Sequence, residues 1–139
     1  MSNQSHNFKI RVYYEDTDAQ GIVFYANYLR YTERARTEML RDGGFDHSDH
    51  TNAQGNMFVV RHIEIDYHKS AILDDQLHVE SFVQKIGGAS VKLKQNVMKG
   101  DSLLVETDVT LVCIDQNQKP VRIPDEAREA LKKFNLNNS

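Results

Sequence analysis

The 139-residue chain has one cysteine, no long apolar run and no surplus of positive charge, and each absence removes a class of function. A lone Cys113 cannot form an internal disulfide, and it sits in an alternating apolar run without a CxxC pair, so it reads as a buried structural thiol rather than a nucleophile. No stretch approaches the roughly 18 consecutive apolar residues that a membrane helix needs, so no transmembrane segment is expected. A net charge of −3 and a pI near 6.0 leave no electrostatic footprint for nucleic acid, and any anionic ligand must be met by a local patch. Residues Met1 to Asn7 lack the basic and apolar regions of a secretory leader, so a cytoplasmic location is expected. No repeat, low-complexity stretch or linker divides the chain, and its length suits one domain over residues 1–139.

What is present changes period along the chain. From Phe8 to Tyr14 apolar and polar residues alternate, with Phe8, Ile10, Val12 and Tyr14 on one face, which predicts a half-buried strand. An acidic turn follows, Glu15-Asp16-Thr17-Asp18-Ala19-Gln20-Gly21, ending at a glycine free to take positive φ. From about Tyr25 to Asp42, Phe24, Tyr28, Tyr31, Ala35 and Met39 recur at intervals of three and four, the spacing of an amphipathic helix. Gly43-Gly44 ends it, and Phe45 to Asn56 is a polar connection expected to be mobile.

Beyond it the sequence is strand-like: Met57 to His68, then Gln76 to Ile86 and Ala89 to Lys99 joined at Gly87-Gly88, then Ser102 to Ile114. Pro124 is suited to be the first residue of a short closing helix. One long helix with four or five antiparallel strands is an α+β arrangement, a twisted sheet packed on a central helix.

The acidic turn permits two readings. Carboxylates just ahead of a helix serve as caps for its unpaired N–H groups, or they form a reaction site in the positive field of the helix start. A second cluster, Asp46-His47-Ser48-Asp49-His50, has His and Asp at a spacing a metal could use, but no third distant ligand is marked, and no metal is expected. His62, His68 and His78 have acidic neighbours and read as half-exposed strand histidines, of which His62 or His68 could reach a subunit interface.

The stretch YYEDTDAQGIVFYANYLRYTERAR resembles the signature of hotdog-fold acyl-CoA thioesterases, in particular the YbgC-type branch of the 4-hydroxybenzoyl-CoA thioesterase family. The match runs through Asp16, Thr17, Asp18, Gly21, Val23, Tyr25, Tyr28 and Glu33. It extends to VVRHIEIDYHKSAILDDQLHVES, to the GGAS hairpin and to KPVRIP, covering all but the ends and the Phe45 to Asn56 loop.

The resemblance implies a hotdog fold, a homodimer or tetramer with sites at the subunit interface, and hydrolysis of an acyl thioester carried by CoA or a carrier protein. CoA would be part of the substrate and no separate cofactor is implied. It assigns the attack to Asp18, as nucleophile or as general base toward water, and the oxyanion to the backbone N–H of Tyr25. The branch that looks closest often carries histidine where this chain has Tyr25. A tyrosine titrating near pH 10 cannot replace an imidazole base, so the implied role there is the backbone's, with the side chain left to hydrogen bonding or packing.

For Tyr14, whose counterpart is a site residue, active-site hydrogen bonding and core packing both stand. Glu33 and Asn27 read as structural. Lys85, Lys92, Lys94, Arg61, Lys69 and Arg122 are candidates for the CoA phosphates, with Ser90 and Lys92 preferred as substrate-binding residues. The competing functions are a dehydratase of the same fold, which wants a histidine beside an acid that the D-T-D turn lacks, and a non-catalytic acyl-thioester or acyl-carrier-protein binding module linked to envelope or phospholipid metabolism. The acyl group itself, short, long or aromatic, is left open.

Overall fold

The computed structural model describes residues 4–45 and 56–135. Five strands form one antiparallel sheet in the order β1-β3-β4-β5-β2: β1 His6–Arg11, β2 Met57–Tyr67, β3 Gln76–Ile86, β4 Ser90–Lys99 and β5 Ser102–Ile114. Helix α1, Asn27–Asp42, lies against β1, β3 and β4, and a short α2, Asp125–Lys132, packs beside α1.

The helix buries one stripe, Tyr28, Tyr31, Thr32, Ala35, Met39 and Leu40. Inward residues of the three central strands meet it in two apolar clusters. Tyr28, Tyr31 and Ala35 join Leu77, Val79, Val97 and Val105 in one. Met39 and Leu40 join Val83, Leu93, Val109 and, from the closing segment, Ile123, Ala127 and Leu131 in the other.

Between the clusters lies a polar belt. Ser81, Gln95 and Thr107 are register partners across β3, β4 and β5, and all are fully buried. Gln95 Nε2 donates to Ser81 Oγ at 2.9 Å and to Thr32 O at 3.0 Å, its Oε1 accepts from Arg36 Nη1 at 3.0 Å, and Thr107 Oγ1 donates to the Gln95 carbonyl at 2.8 Å. A buried amide satisfied this fully fixes helix to sheet as well as adding stability. Burial pulls the Arg36 guanidinium below its ordinary pKa, and the nearby Glu33 charge opposes that pull.

Several boundaries differ from the sequence expectation. The first strand ends at Arg11, not Tyr14, and the chain turns through a 3₁₀ segment, Tyr14–Asp16, so Tyr14 is 80% exposed instead of lying on an apolar strand face. Phe24 is also exposed, because the chain turns at Tyr25 and Ala26 before α1 begins. Pro124 precedes α2 and accepts from Arg128 N–H at 2.9 Å, one residue outside the predicted helix start. The Phe45 to Asn56 connection and the Asp46-His47-Ser48-Asp49-His50 cluster lie, save Phe45 and Asn56, outside the described residues. Cys113 is buried, and burial pushes its thiol pKa up.

β2 is an edge strand, as is β1. A bulge between Val60 and His62 interrupts its pairing with β5, and Val60 and Tyr67 stay exposed along it.

Candidate active site

The acidic turn is a tight structure, but it caps no α-helix. Asp16 is buried; its Oδ2 accepts from Tyr13 N–H at 2.9 Å, closing the 3₁₀ turn, and its Oδ1 accepts from Asn27 Nδ2 at 3.1 Å. Phe24 N–H donates to the Asp16 carbonyl at 2.8 Å, which folds the chain back toward α1. Thr17 pairs with Val23 across the turn itself, while the Ile22–Ile72 bridge and the bond from Val23 N–H to Ala71 O at 2.9 Å tie the turn to the segment after β2. Gly21 takes φ +81, where an L side chain is strained.

At the tip of this loop Asp18 is held by its backbone: its N–H donates to Ile22 O at 2.9 Å and its carbonyl accepts from Gly21 N–H at 3.0 Å. Oδ1 accepts from Gln20 N–H at 2.9 Å, and among the described residues Oδ2 has no partner. The carboxylate faces a cavity of about 240 Å³ lined by Asp18, Ile22, Val23, Tyr25, Tyr28, Tyr67, His68, Lys69 and Ser70.

The start of α1 forms part of the same wall. Its cap position, Ala26, contributes no side-chain bond, and the N–H of Tyr25 donates to no acceptor among the described residues. Unpaired N–H groups at a helix start are ready donors for an anion. The Tyr25 carbonyl accepts from Tyr67 Oη at 3.1 Å, and the Tyr25 ring packs against Phe24 and edge-on to Tyr67. Tyr28 Oη accepts from Ala71 N–H at 3.0 Å. Burial pushes the phenols of Tyr28 and Tyr67 up, so both act as neutral hydroxyls. Behind them Tyr31 is raised too, by burial first and then by the Asp16 charge.

Asp18 and Tyr25 are thus brought to one cavity, whereas the substrate-binding candidates stand apart in this chain. Tyr14 lines a separate surface hollow with Tyr13, Leu73 and Asp74. Ser90 and Lys92 lie at the far end of the sheet: Ser90 pairs with Val112 of β5, while Tyr67 beside the cavity pairs with Val105, roughly 24 Å away along that strand. Lys94 is engaged with Glu106 at 2.8 Å and Asp108 at 3.2 Å, and of the remaining phosphate candidates Lys69 alone lines the Asp18 cavity. Among the described residues no three His, Cys, Asp or Glu side chains are grouped as metal ligands.

Sequence reasoning missed Tyr67, Ser70 and His68 as cavity residues. Alternation along β2 assigns the His68 ring to the outer face, and there it meets Glu106 at 3.6 Å, while the segment from Tyr67 to Ser70 closes one side of the cavity as the chain leaves the strand. A larger cavity, about 450 Å³, opens elsewhere, between the C-terminal half of α1 and the N-terminal half of β2. Its walls are mainly apolar, including Leu40, Phe45, Phe58, Val59 and Leu111, with Glu33 and Arg36 on the helix side.

The model of the thioesterase superfamily matches residues 20–106 of this chain. A relative from Haemophilus influenzae named acyl-CoA thioesterase YbgC is 41% identical, over 94% of this chain and 96% of that protein. An Escherichia coli relative named acyl-CoA thioester hydrolase YbgC is 38% identical over 89% and 93%. The crystal structure of a probable thioesterase from Bartonella henselae superposes with a TM-score of 0.83 at 36% identity, covering 86% of this chain and 99% of that one.

Proposed function

The chain belongs to the thioesterase superfamily, and on that premise we propose that it hydrolyses acyl-CoA thioesters to the free acid and CoA, with Asp18 as the attacking group. One observation carries the assignment of the site: a carboxylate with one oxygen unpartnered among the described residues and an uncapped helix start share one small cavity. Two of the needs of thioester hydrolysis are a nucleophile or base at the carbonyl carbon and a donor for the oxyanion.

Asp18 Oδ2 meets the first need, either by attacking to give a mixed anhydride or by taking a proton from an attacking water. The Tyr25 N–H meets the second, with the helix field behind it. Neither role calls on a metal or a separate cofactor. The relatives' names favour turnover over a non-catalytic binding module. A cytoplasmic setting suits a substrate carried on CoA and belongs to the same reading.

The working unit we propose is a homodimer paired through β2, whose open edge and exposed Val60 and Tyr67 call for a cover. Antiparallel pairing of two β2 strands would set the Tyr67 end of one subunit against the Met57 end of the other. The 450 Å³ apolar cavity of one subunit would then adjoin the Asp18 cavity of its partner and receive the acyl group, with Ser90 and Lys92 approaching from the same side to meet the CoA phosphates. A carrier-protein arm would present the same phosphate to the same residues.

Thiol release from a panel of acyl-CoA chain lengths tests this reading. The unmodified protein is expected to turn over, and Asp18→Asn to lower kcat by about 10²–10⁴-fold with thermal unfolding unchanged. Binding without release would leave the binding module in possession, and full activity in Asp18→Asn would remove Asp18 from the chemistry.

A further inference from the structure

The loop that carries Asp18 and the turn that carries Tyr25 are tied to each other through one residue, Asp16. Phe24 N–H donates to the Asp16 carbonyl at 2.8 Å, and Asn27 N–H closes a turn on the Phe24 carbonyl at 2.8 Å. Asn27, the first residue of α1, then returns its side chain to Asp16, Nδ2 donating to Oδ1 at 3.1 Å. The four-residue turn from Phe24 to Asn27 is therefore held at both ends by Asp16, with Tyr25 inside it. Asp18 stands two residues beyond Asp16, and the Thr17–Val23 bridge and the bond from Asp18 N–H to Ile22 O at 2.9 Å fix that spacing.

A carboxylate is an unfavourable choice for a buried turn unless its second oxygen has a task. Asp16 is 8% exposed, and its two side-chain partners, the Tyr13 N–H at 2.9 Å and the Asn27 amide, are neutral donors. Closing the 3₁₀ turn needs Oδ2 alone. A carboxylate adds a second acceptor atom, which an asparagine lacks, and Oδ1 applies it to the helix start. Tyr67 Oη holds the Tyr25 carbonyl from the sheet side at 3.1 Å, which fixes the turn against β2 but not against the acidic loop.

Attack and oxyanion binding must meet on one carbonyl group, and a displacement of about 1 Å between the two is enough to cost on the order of 100-fold in rate. Resting on the hydrolase reading above, we propose that Asp16 and Asn27 are positioning residues of that reaction: their contact sets the Tyr25 N–H at a fixed distance from Asp18. Neither touches the substrate. Asn27, which the sequence pattern marks only as a structural helix residue, thereby acts on the rate through the backbone two residues before it.

The test measures kcat and KM on an acyl-CoA, and the affinity for two stable analogues by calorimetry, whose stoichiometry counts the folded sites. One analogue is an S-alkyl-CoA, which has no carbonyl oxygen. The other is a fluoroketone of the same chain length, whose hydrate places an oxygen where the oxyanion develops. Asn27→Ala removes the tie at a half-buried position and puts a good helix former in its place, so the fold is expected to persist. Its kcat is expected to fall about 10- to 100-fold with KM within about threefold. Its affinity is expected to weaken about tenfold for the fluoroketone and less than about twofold for the S-alkyl-CoA. Asn27→Asp sets two carboxylates face to face and is expected to lose at least as much. The double exchange, Asp16→Asn with Asn27→Asp, restores a donor facing an acceptor and keeps an acceptor for the Tyr13 N–H, so kcat should recover at least about tenfold over Asn27→Asp. Equal weakening of the two analogues, an unchanged kcat in Asn27→Ala, or a double exchange no better than Asn27→Asp overturns the positioning role and leaves the hydrolase standing. Full activity of Asp18→Asn, or no turnover by the unmodified protein, overturns the hydrolase reading and this proposal with it.

Discussion

The two ends of α1 are built for different purposes. At its C-terminal end Gly43 N–H donates to Met39 O at 3.0 Å, Phe45 N–H to Leu40 O at 2.9 Å, and the Lys133 ammonium to the Gly43 carbonyl at 2.8 Å. His6 Nε2 adds a contact to Asp42 Oδ2 at 2.7 Å that ties β1 to the helix. At the N-terminal end no side chain caps the helix, an acidic loop stands in front of it, and Tyr25 and Phe24 are exposed. A helix end left uncapped forgoes about 1 kcal/mol that an N-cap side chain would supply. The contrast teaches where the fold tolerates unmet hydrogen-bonding groups: at the end that opens on the Asp18 cavity and not at the end that meets the core.

The polar belt between the two clusters is what keeps these ends in fixed relation, and breaking it gives the largest expected loss of stability. Gln95→Leu keeps the volume but removes the amide that accepts from the Arg36 guanidinium and donates to the Thr32 carbonyl and the Ser81 hydroxyl. The expected loss is on the order of 3 kcal/mol, read by urea denaturation, because a half-buried charge and two buried polar groups lose a hydrogen bond together. A loss below about 0.5 kcal/mol would mean that the belt is hydrated and holds nothing.

A second change sharpens the contrast from the closed end. A Cβ at Gly43 would lie 2.8 Å from Ala130 Cβ and 3.0 Å from Ala130 Cα and O, so α1 and α2 cannot keep their spacing with any larger residue there. Gly43→Ala is expected to lower stability by about 1–3 kcal/mol as overpacking and to leave kcat at 25 °C unchanged, since the N-terminal end is untouched. A change in kcat without a change in stability would show that the two ends are coupled.

How far the sequence carried the reading follows the same division. The period of three and four gave the buried face of α1, and strict alternation with Gly87-Gly88 gave the β3-β4 hairpin, because those residues face the core and obey its geometry. The belt was illegible: a glutamine in an alternating strand reads as a break in the apolar face, and only a partner at position 36 and two cross-strand neighbours make it a core residue. Tyr14 was misplaced because aromatic alternation continues past Arg11, where the chain has already turned. At the acidic loop, residue pattern alone left cap and site open. The loop's two inner acids differ in their partners, Asp16 bonding the 3₁₀ turn and Asn27 while one Asp18 oxygen has no partner among the described residues; the family resemblance singles out Asp18. Tyr67 and Ser70 carried no site signal because the cavity they line is assembled with a loop more than 40 residues away.

The smallest expected effect falls on the residue where this chain departs from the branch it resembles. If the Tyr25 backbone binds the oxyanion, the phenol has no part in the reaction, and its hydroxyl makes no hydrogen bond among the described residues. Tyr25→Phe preserves the ring that packs on Phe24 and Tyr67 and preserves the N–H, so kcat and KM are both expected within about threefold of the unmodified protein. A fall in kcat of about 100-fold or more, with KM unchanged, would move a transition-state contact from the backbone to the phenol. The open end of α1 would then owe its chemistry to a side chain and not to the uncapped helix start.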